Sequence, residues 1–243
     1  MNVSEPLYLI PGLGSDGTIW AATIEALGSA VDAHIVDTLS DGTLGEMAAR
    51  FLRNAPPKFA LAGISMGGMV ALEVMRQAPE RVTRLALFDT NAAPDDAGAL
   101  AQRIATRGQL SRMADFGQIT PQLWSYLVHA SAISRVETAM GLMMQAVGPA
   151  RYCRQIDAVI ARPDFRPVLS QIKVPTVVVI GNEDRVTPRH MTDAIVAGIS
   201  GAQLIVIAGC GHLPPLEKPA ETADILLSWL LTPPASPATP PAI

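Results

Sequence analysis

"LAGISMGGMVALEVM", residues 61–75, decides how the rest of the chain is read. Up to Ile64 it is a short apolar run of strand character. Beyond Ser65 the apolar residues fall at helical spacing, and Pro79 closes the helix. Ser65 stands at the junction, with Gly63, Gly67 and Gly68 around it in a G-x-S-x-G pattern. The string alone arises by chance; a strand before it and a helix after it separate it from a small residue in an ordinary tight turn. A residue on so sharp a turn adopts a strained backbone that larger neighbours obstruct, which is what the glycines are for. The turn also aims the free N–H groups and positive dipole end of the following helix at any anion formed beside the hydroxyl.

Outward from that junction, short apolar runs alternate with helix-like segments. The runs are "LYLI" (7–10), "AHIV" (33–36), "FALAGI" (59–64), "RLALFD" (84–89), "TVVVIG" (176–181) and "QLIVIAG" (203–209). They are continuous rather than alternating, as strands covered on both faces are. In the helical pattern over 43–54, Thr43 and Glu46 have capping-box spacing, and Leu44, Met47, Ala48, Phe51 and Leu52 share one face. The fold class is therefore α/β, a mostly parallel sheet with helices on both faces. Between residues 91 and 167 the alternation gives way to an all-helical insertion, with Met113, Trp124, Tyr126, Met140, Met143 and Met144 among its apolar positions. It is read as a lid with an adaptable apolar wall, extra helical core being the other reading. The core is expected in 1–90 and 168–231, and the Pro-rich tail over 232–243 is expected to be disordered.

Composition agrees with one large domain. The chain has 243 residues, 49% of them hydrophobic and 16% charged, enough for a full core and unlike a disordered chain. A net charge of -4, with no Lys/Arg-rich run, gives no footprint for nucleic acid. Apolar runs stay short of the roughly 18–20 residues of a membrane span, so no membrane partner is expected. "MNVSEPLYLIPG" lacks the regions of a secretion signal, and Cys153 and Cys210 are too few for a disulfide framework. The expected location is cytoplasmic.

A serine hydroxyl becomes a good nucleophile only when an oriented base takes its proton. Of His34, His129, His190 and His212, only His212 follows the last strand candidate in a loop with glycine neighbours, Gly209 and Gly211. That loop leaves the carboxyl edge of the sheet, where open α/β folds place their ligands. The orienting carboxylate is assigned to Asp184 in "VVVIGNEDRVTP", with adjacent Glu183 and the strand-end Asp89 as alternatives. An oxyanion needs donors. Met66, next after the serine, offers one backbone N–H, and Leu13 offers another from the tight turn Pro11-Gly12-Leu13-Gly14 after the first strand. No cofactor or metal is expected. The G-x-G at 12–14 lacks the third glycine of a dinucleotide fingerprint, and no second ligand pair at zinc spacing accompanies Cys210 and His212.

The stretches "PGLGSDGTIW", "GISMGGMVALEVMRQAPERVTRLALFDT", "VPTVVVIGNEDRVTP" and "GCGHLPPLEKPAETADILLSWL" together resemble the α/β-hydrolase superfamily over nearly the whole chain. The spacing is similar to small carboxylesterases and enol-lactone hydrolases with a short helical lid inserted after the sixth strand of the fold. Serine, aspartate and histidine also follow the family's chain order. The resemblance implies Ser65 as nucleophile, His212 as base, Asp184 as orienter and Leu13 with Met66 as oxyanion donors. It further implies Val186 and Leu213 as pocket residues, beside Gly12 and Gly14. Many members carry His-Gly where this chain has Pro11-Gly12, so the anchoring of that loop is expected to differ. One or two edge strands of larger members are expected to be missing.

Fold does not settle chemistry. The leading reading is hydrolysis of a small-molecule carboxylic ester or lactone through an acyl-enzyme. Serine rather than a carboxylate at the nucleophile position argues against haloalkane dehalogenation. Carbon–carbon bond hydrolysis of a diketone-like acid is the second reading. It calls for a cation facing the pocket, with Arg107, Arg112, Arg135, Arg151 and Arg154 as candidates. A low-turnover receptor on the same fold is the third, and perhydrolysis or cofactor-free oxygen chemistry would use the same arrangement.

Overall fold

A computed structural model describes residues 5–113 and 121–232 of the chain. Its six strands are β1 (Leu7–Ile10), β2 (Ala33–Ile35), β3 (Phe59–Ile64), β4 (Val82–Phe88), β5 (Thr176–Gly181) and β6 (Gln203–Ile207). They form one sheet in the order β2-β1-β3-β4-β5-β6, and every neighbouring pair is parallel. All six lie where the sequence predicts strands, with ends shifted by a residue or two. The run at 84–89 begins earlier, at Val82, and stops at Phe88 because Asp89 turns into the left-handed region, at φ +42°. Both faces of β3 and β5 are fully buried, which is why those runs carry no polar alternation. The edge strands β2 and β6 are only partly covered.

Helices lie on both sides. One face packs against α1 (Ala21–Leu27) and the C-terminal helices, the other against α2 (Leu44–Asn54) and α3 (Met66–Gln77). Along β3, Ala60, Ala62 and Ile64 point into one core cluster and Phe59 and Leu61 into the other. Thr43 caps α2 as its spacing predicts, its hydroxyl oxygen accepting from the Glu46 N–H at 3.1 Å. The Glu46 carboxylate answers by accepting from the Gly42 N–H.

Between β4 and β5 come α4 (Ala97–Leu110), α5 (Pro121–Leu127), α6 (Ile133–Ile160) and a short α7 (Arg166–Leu169). The helical insertion thus follows the fourth strand of this chain. The resemblance places it after a sixth strand; the described residues supply four strands before it. Gly148, at φ +72°, ends the first half of α6, and Pro149 opens the second. After β5 follow α8 (Arg189–Gly198), α9 (Pro214–Glu217) and α10 (Pro219–Leu231). The tail read at 232–243 lies outside the described residues, apart from Thr232.

The chain runs from β1 outward to β2, then crosses back over β1 to β3. The strand order therefore reverses between β1 and β3, and at such a point a crevice opens beyond the carboxyl ends of the strands. The turn after β1 and the turn after β3 face each other across it.

Candidate active site

Ser65 occupies the turn from β3 to α3 with φ +55° and ψ -119°, a strained conformation for a residue with a side chain. Contacts on both sides hold it there. Its N–H donates to the Phe88 carbonyl at 2.9 Å, and its own carbonyl accepts from the Gly68 N–H at 3.0 Å and from Thr90 Oγ1 at 2.6 Å. The glycines are sterically required. A Cβ on Gly63 would stand 2.3 Å from the Gly67 carbonyl oxygen, and one on Gly67 would stand 2.3 Å from that of Ile10.

The serine hydroxyl meets His212 Nε2 at 2.9 Å, and His212 Nδ1 meets Asp184 Oδ2 at 2.9 Å. Asp184 is buried and accepts at Oδ1 from the N–H groups of Val186 (2.8 Å) and Thr187 (3.1 Å), and at Oδ2 from the Thr187 hydroxyl. Burial pushes its carboxyl up. The His212 charge and hydrogen bond outweigh this, with help from Thr187 and Val186, and hold it well below the usual carboxylate range. Of the alternatives, Glu183 turns away to His129 Nε2 at 3.1 Å. Asp89 lies close but is not hydrogen-bonded to the histidine. It is fully buried, accepts from the Gly181 N–H at Oδ1, and among the described residues has no partner at Oδ2. Burial first, and then the Asp184 charge, push the Asp89 carboxyl well above its ordinary range. The environment thus pushes two neighbouring carboxyls in opposite directions, Asp184 down and Asp89 up. Of the other histidines, His34 pairs with Asp32 and His190 sits on α8.

Asp89, Asp184 and His212 are also the one group of three metal-capable side chains among the described residues, with ligand atoms within 4.8 Å of one another. Asp184 Oδ2 and His212 Nδ1 spend those atoms on each other, so the cluster carries no metal assignment.

Gly12, Leu13, Gly14, Val186 and Leu213 line a cavity of about 650 Å³ that reaches Ser65 and His212. The Met66 side chain points away into the core, leaving only its backbone at the helix N-terminus beside the serine. Among the described residues, neither the Leu13 nor the Met66 N–H has a hydrogen-bond partner. The turn that carries Leu13 is anchored from the insertion. Buried Gln155 on α6 accepts from the Gly14 N–H at 2.8 Å and donates to the Thr38 carbonyl at 3.2 Å. This is how the loop that carries Pro11-Gly12 is fixed. Gly14 has φ +70°, and a Cβ there would meet the Tyr152 ring at 2.3 Å.

The insertion also holds the loops that carry Asp184 and His212. The Leu127 carbonyl of α5 accepts from the His212 N–H at 2.7 Å, and Tyr126 donates to the Arg185 carbonyl at 2.9 Å. Trp124, Met140, Met143 and Met144 line the cavity. None of the five arginines proposed for the pocket does. Arg107 pairs with Asp157, Arg135 donates to the Glu217 carbonyl, Arg151 to that of Ala146 and Arg154 to that of Leu39, while Arg112 is exposed. Among the described residues, the cation that lines the cavity is Arg103.

Sequence reasoning also missed Glu217. It is 1% exposed, and its carboxylate accepts from the N–H groups of Gly211 (2.9 Å), Leu213 (2.9 Å) and His129 (2.8 Å). The donors on either side of His212 and the end of α5 are pinned by this one side chain. A lone glutamate inside "HLPPLEKP" was the available signal.

This sheet, elbow and hydrogen-bonded chain define an α/β hydrolase, and residues 7–225 match the alpha/beta hydrolase family, to which the chain belongs. The resemblance to the α/β-hydrolase superfamily is borne out. The chain is similar to pimeloyl-[acyl-carrier protein] methyl ester esterase of Yersinia pseudotuberculosis, 22% identical over 92% of each chain. It is also similar to the Aliivibrio salmonicida protein of that name, 27% identical over 86% of this chain and 85% of the relative. Among solved structures, a thermophilic esterase from Thermogutta terrifontis superposes with TM-score 0.82 at 26% identity, covering 95% of this chain and 90% of the other. The enol-lactonase from Burkholderia xenovorans LB400 shares the fold, with TM-score 0.81 at 18% identity over 94% and 92% of the two chains.

Proposed function

We propose that this chain hydrolyses a carboxylic ester or lactone through Ser65, His212 and Asp184. The observation that carries the reading is the unbroken chain Ser65 Oγ–His212 Nε2–His212 Nδ1–Asp184 Oδ2, 2.9 Å at each link, on the wall of a largely apolar cavity. Ser65 Oγ attacks the carbonyl carbon as His212 Nε2 takes its proton. The imidazolium so formed is stabilised by ionised Asp184. The tetrahedral oxyanion is held by the free N–H groups of Leu13 and Met66, the latter at the positive end of α3. His212 returns its proton to the leaving alkoxide, leaving an acyl-serine. Water, deprotonated by the same nitrogen, then releases the acid and restores the hydroxyl. Burial raises the carboxyl of Asp89 behind Asp184, which disfavours a second negative charge there.

Family membership and the relatives named as esterases support ester cleavage. The segment 91–167 acts as the lid, joined to the acid and base loops through Tyr126 and Leu127. No described helix is long and apolar enough to cross a membrane, and the two unpaired, buried cysteines fit a cytoplasmic setting. The test is a panel of p-nitrophenyl esters from acetate to dodecanoate with wild type and Ser65→Ala. The expected result is a preferred chain length and a loss of at least about 10³-fold in the variant. Equal rates for the two proteins on every ester would overturn the reading.

A further inference from the structure

The cavity wall is apolar around the serine, with Leu13, Ile64, Leu127, Met144 and Leu213 among its residues, but it changes character on α4. There Gln102, Arg103 and Thr106 face the same space. Arg103 belongs to a three-membered cluster. Asp95 Oδ2 accepts from its Nε at 2.7 Å, and Asp95 Oδ1 accepts from its Nη2 at 3.3 Å and from Arg162 Nη2 at 2.7 Å. Burial pushes the Asp95 carboxyl up, but its bonds to the two guanidinium groups win and hold it down at about 2. Arg162, its side chain 1% exposed, is fully used, since it also donates to the carbonyls of Ala93 and Val159. Two guanidinium groups against one carboxylate leave the cluster one positive charge in excess. Arg103 carries the unused donor. Among the described residues its Nη1 has no hydrogen-bond partner, and its side chain remains 27% exposed.

We propose that Arg103 recognises a carboxylate on the acyl part of the substrate, so that the preferred esters are half-esters of dicarboxylic acids. The assignment rests on the ester-hydrolase reading of the same cavity. A neutral acyl chain would leave a half-buried guanidinium with an unused donor beside it, whereas a carboxylate supplies the missing acceptor. One carboxylate also cancels the excess charge of the cluster, which a phosphate dianion would overshoot. An apolar cavity without such a cation would reject a charged acyl chain. A preference for the charged substrate is therefore diagnostic.

The experiment compares monomethyl esters of dicarboxylic acids of four to ten carbons with methyl esters of monocarboxylic acids of the same length, following methanol release. For at least one length the wild type is expected to favour the half-ester about tenfold or more in kcat/KM, the scale of one hydrogen bond to a charged group. Arg103→Gln is expected to bring that ratio to about one, and Arg103→Lys to restore part of it. A wild-type ratio near one at every length, or an unchanged ratio in Arg103→Gln, overturns the proposal. Calorimetric binding to Ser65→Ala gives a second readout that needs neither turnover nor an Arg103 variant. The half-ester should bind about tenfold tighter than the corresponding dimethyl ester, and equal affinities overturn the proposal. If the wild type hydrolyses none of the esters, the hydrolase reading fails, and this binding comparison still decides the role of Arg103.

Discussion

Glu217→Gln is the substitution that most sharply separates positioning from chemistry at this site. The carboxylate receives three backbone N–H groups, those of Gly211 and His129 at Oε2 and that of Leu213 at Oε1. Glutamine has one acceptor oxygen. Placed at the two-donor end, it keeps Gly211 and His129 but sets an NH2 group against the Leu213 N–H. One buried hydrogen bond is lost and two donors oppose each other, at a cost of about 2 kcal/mol. In a chain of 243 residues that lowers Tm by roughly 4–8 °C. The residue on the other side of the lost bond is His212, and a displacement on the order of 1 Å costs about 100-fold in rate. We expect kcat to fall about 10- to 100-fold with KM little changed, measured well below the variant's Tm on the best ester of the panel. Glu217→Ala, which strands all three donors, should be worse in both respects. A Glu217→Gln protein with lowered Tm and undiminished kcat would refute the claim that this carboxylate positions the base.

Three further substitutions test other parts of the account. Burial raises the Asp89 carboxyl well above its ordinary range, so this group costs stability increasingly as pH rises above the unfolded value of about 4. Asp89→Asn removes that cost: its Tm relative to wild type should climb as pH rises above about 4, and a flat or falling difference contradicts a raised Asp89. Gln155→Ala leaves the Gly14 N–H without its acceptor; kcat should drop about tenfold and stability by about 1–3 kcal/mol, and a stability loss without a kcat loss would remove Gln155 from the positioning of the Leu13 loop. Gly67→Ala brings a Cβ to 2.3 Å from the Ile10 carbonyl oxygen, a backbone clash that should cost about 3 kcal/mol in denaturant unfolding; a cost near zero would show that the elbow can relax.

The elements that were legible in the sequence share a cause. Strands β3 and β5 are covered on both faces, so burial writes their whole length as apolar residues. The elbow could be read because its sterics admit only glycine at Gly63 and Gly67. What could not be read depends on contacts across long separations. Gln155 meets Gly14 from 141 positions away, and nothing local marks it apart from other polar residues of a helix. Arg103 could not be told from the arginines around it. Its place on the cavity wall depends on how α4 packs against α6, while Arg107, one turn on, pairs with Asp157 instead. Glu183, Asp184 and Asp89 are all strand-end carboxyls, and only the loop geometry set by Val186 and Thr187 turns Asp184 toward the histidine.

The central claim is that Ser65 is a nucleophile activated by His212. Its most direct measurement is covalent labelling with a fluorophosphonate, followed by intact-mass and peptide analysis of wild type, Ser65→Ala and His212→Ala. One adduct per chain on the peptide that contains Ser65, absent from Ser65→Ala and formed at least about 100-fold more slowly in His212→Ala, is the predicted result. No adduct, an adduct on another residue, or labelling indifferent to His212 would contradict it.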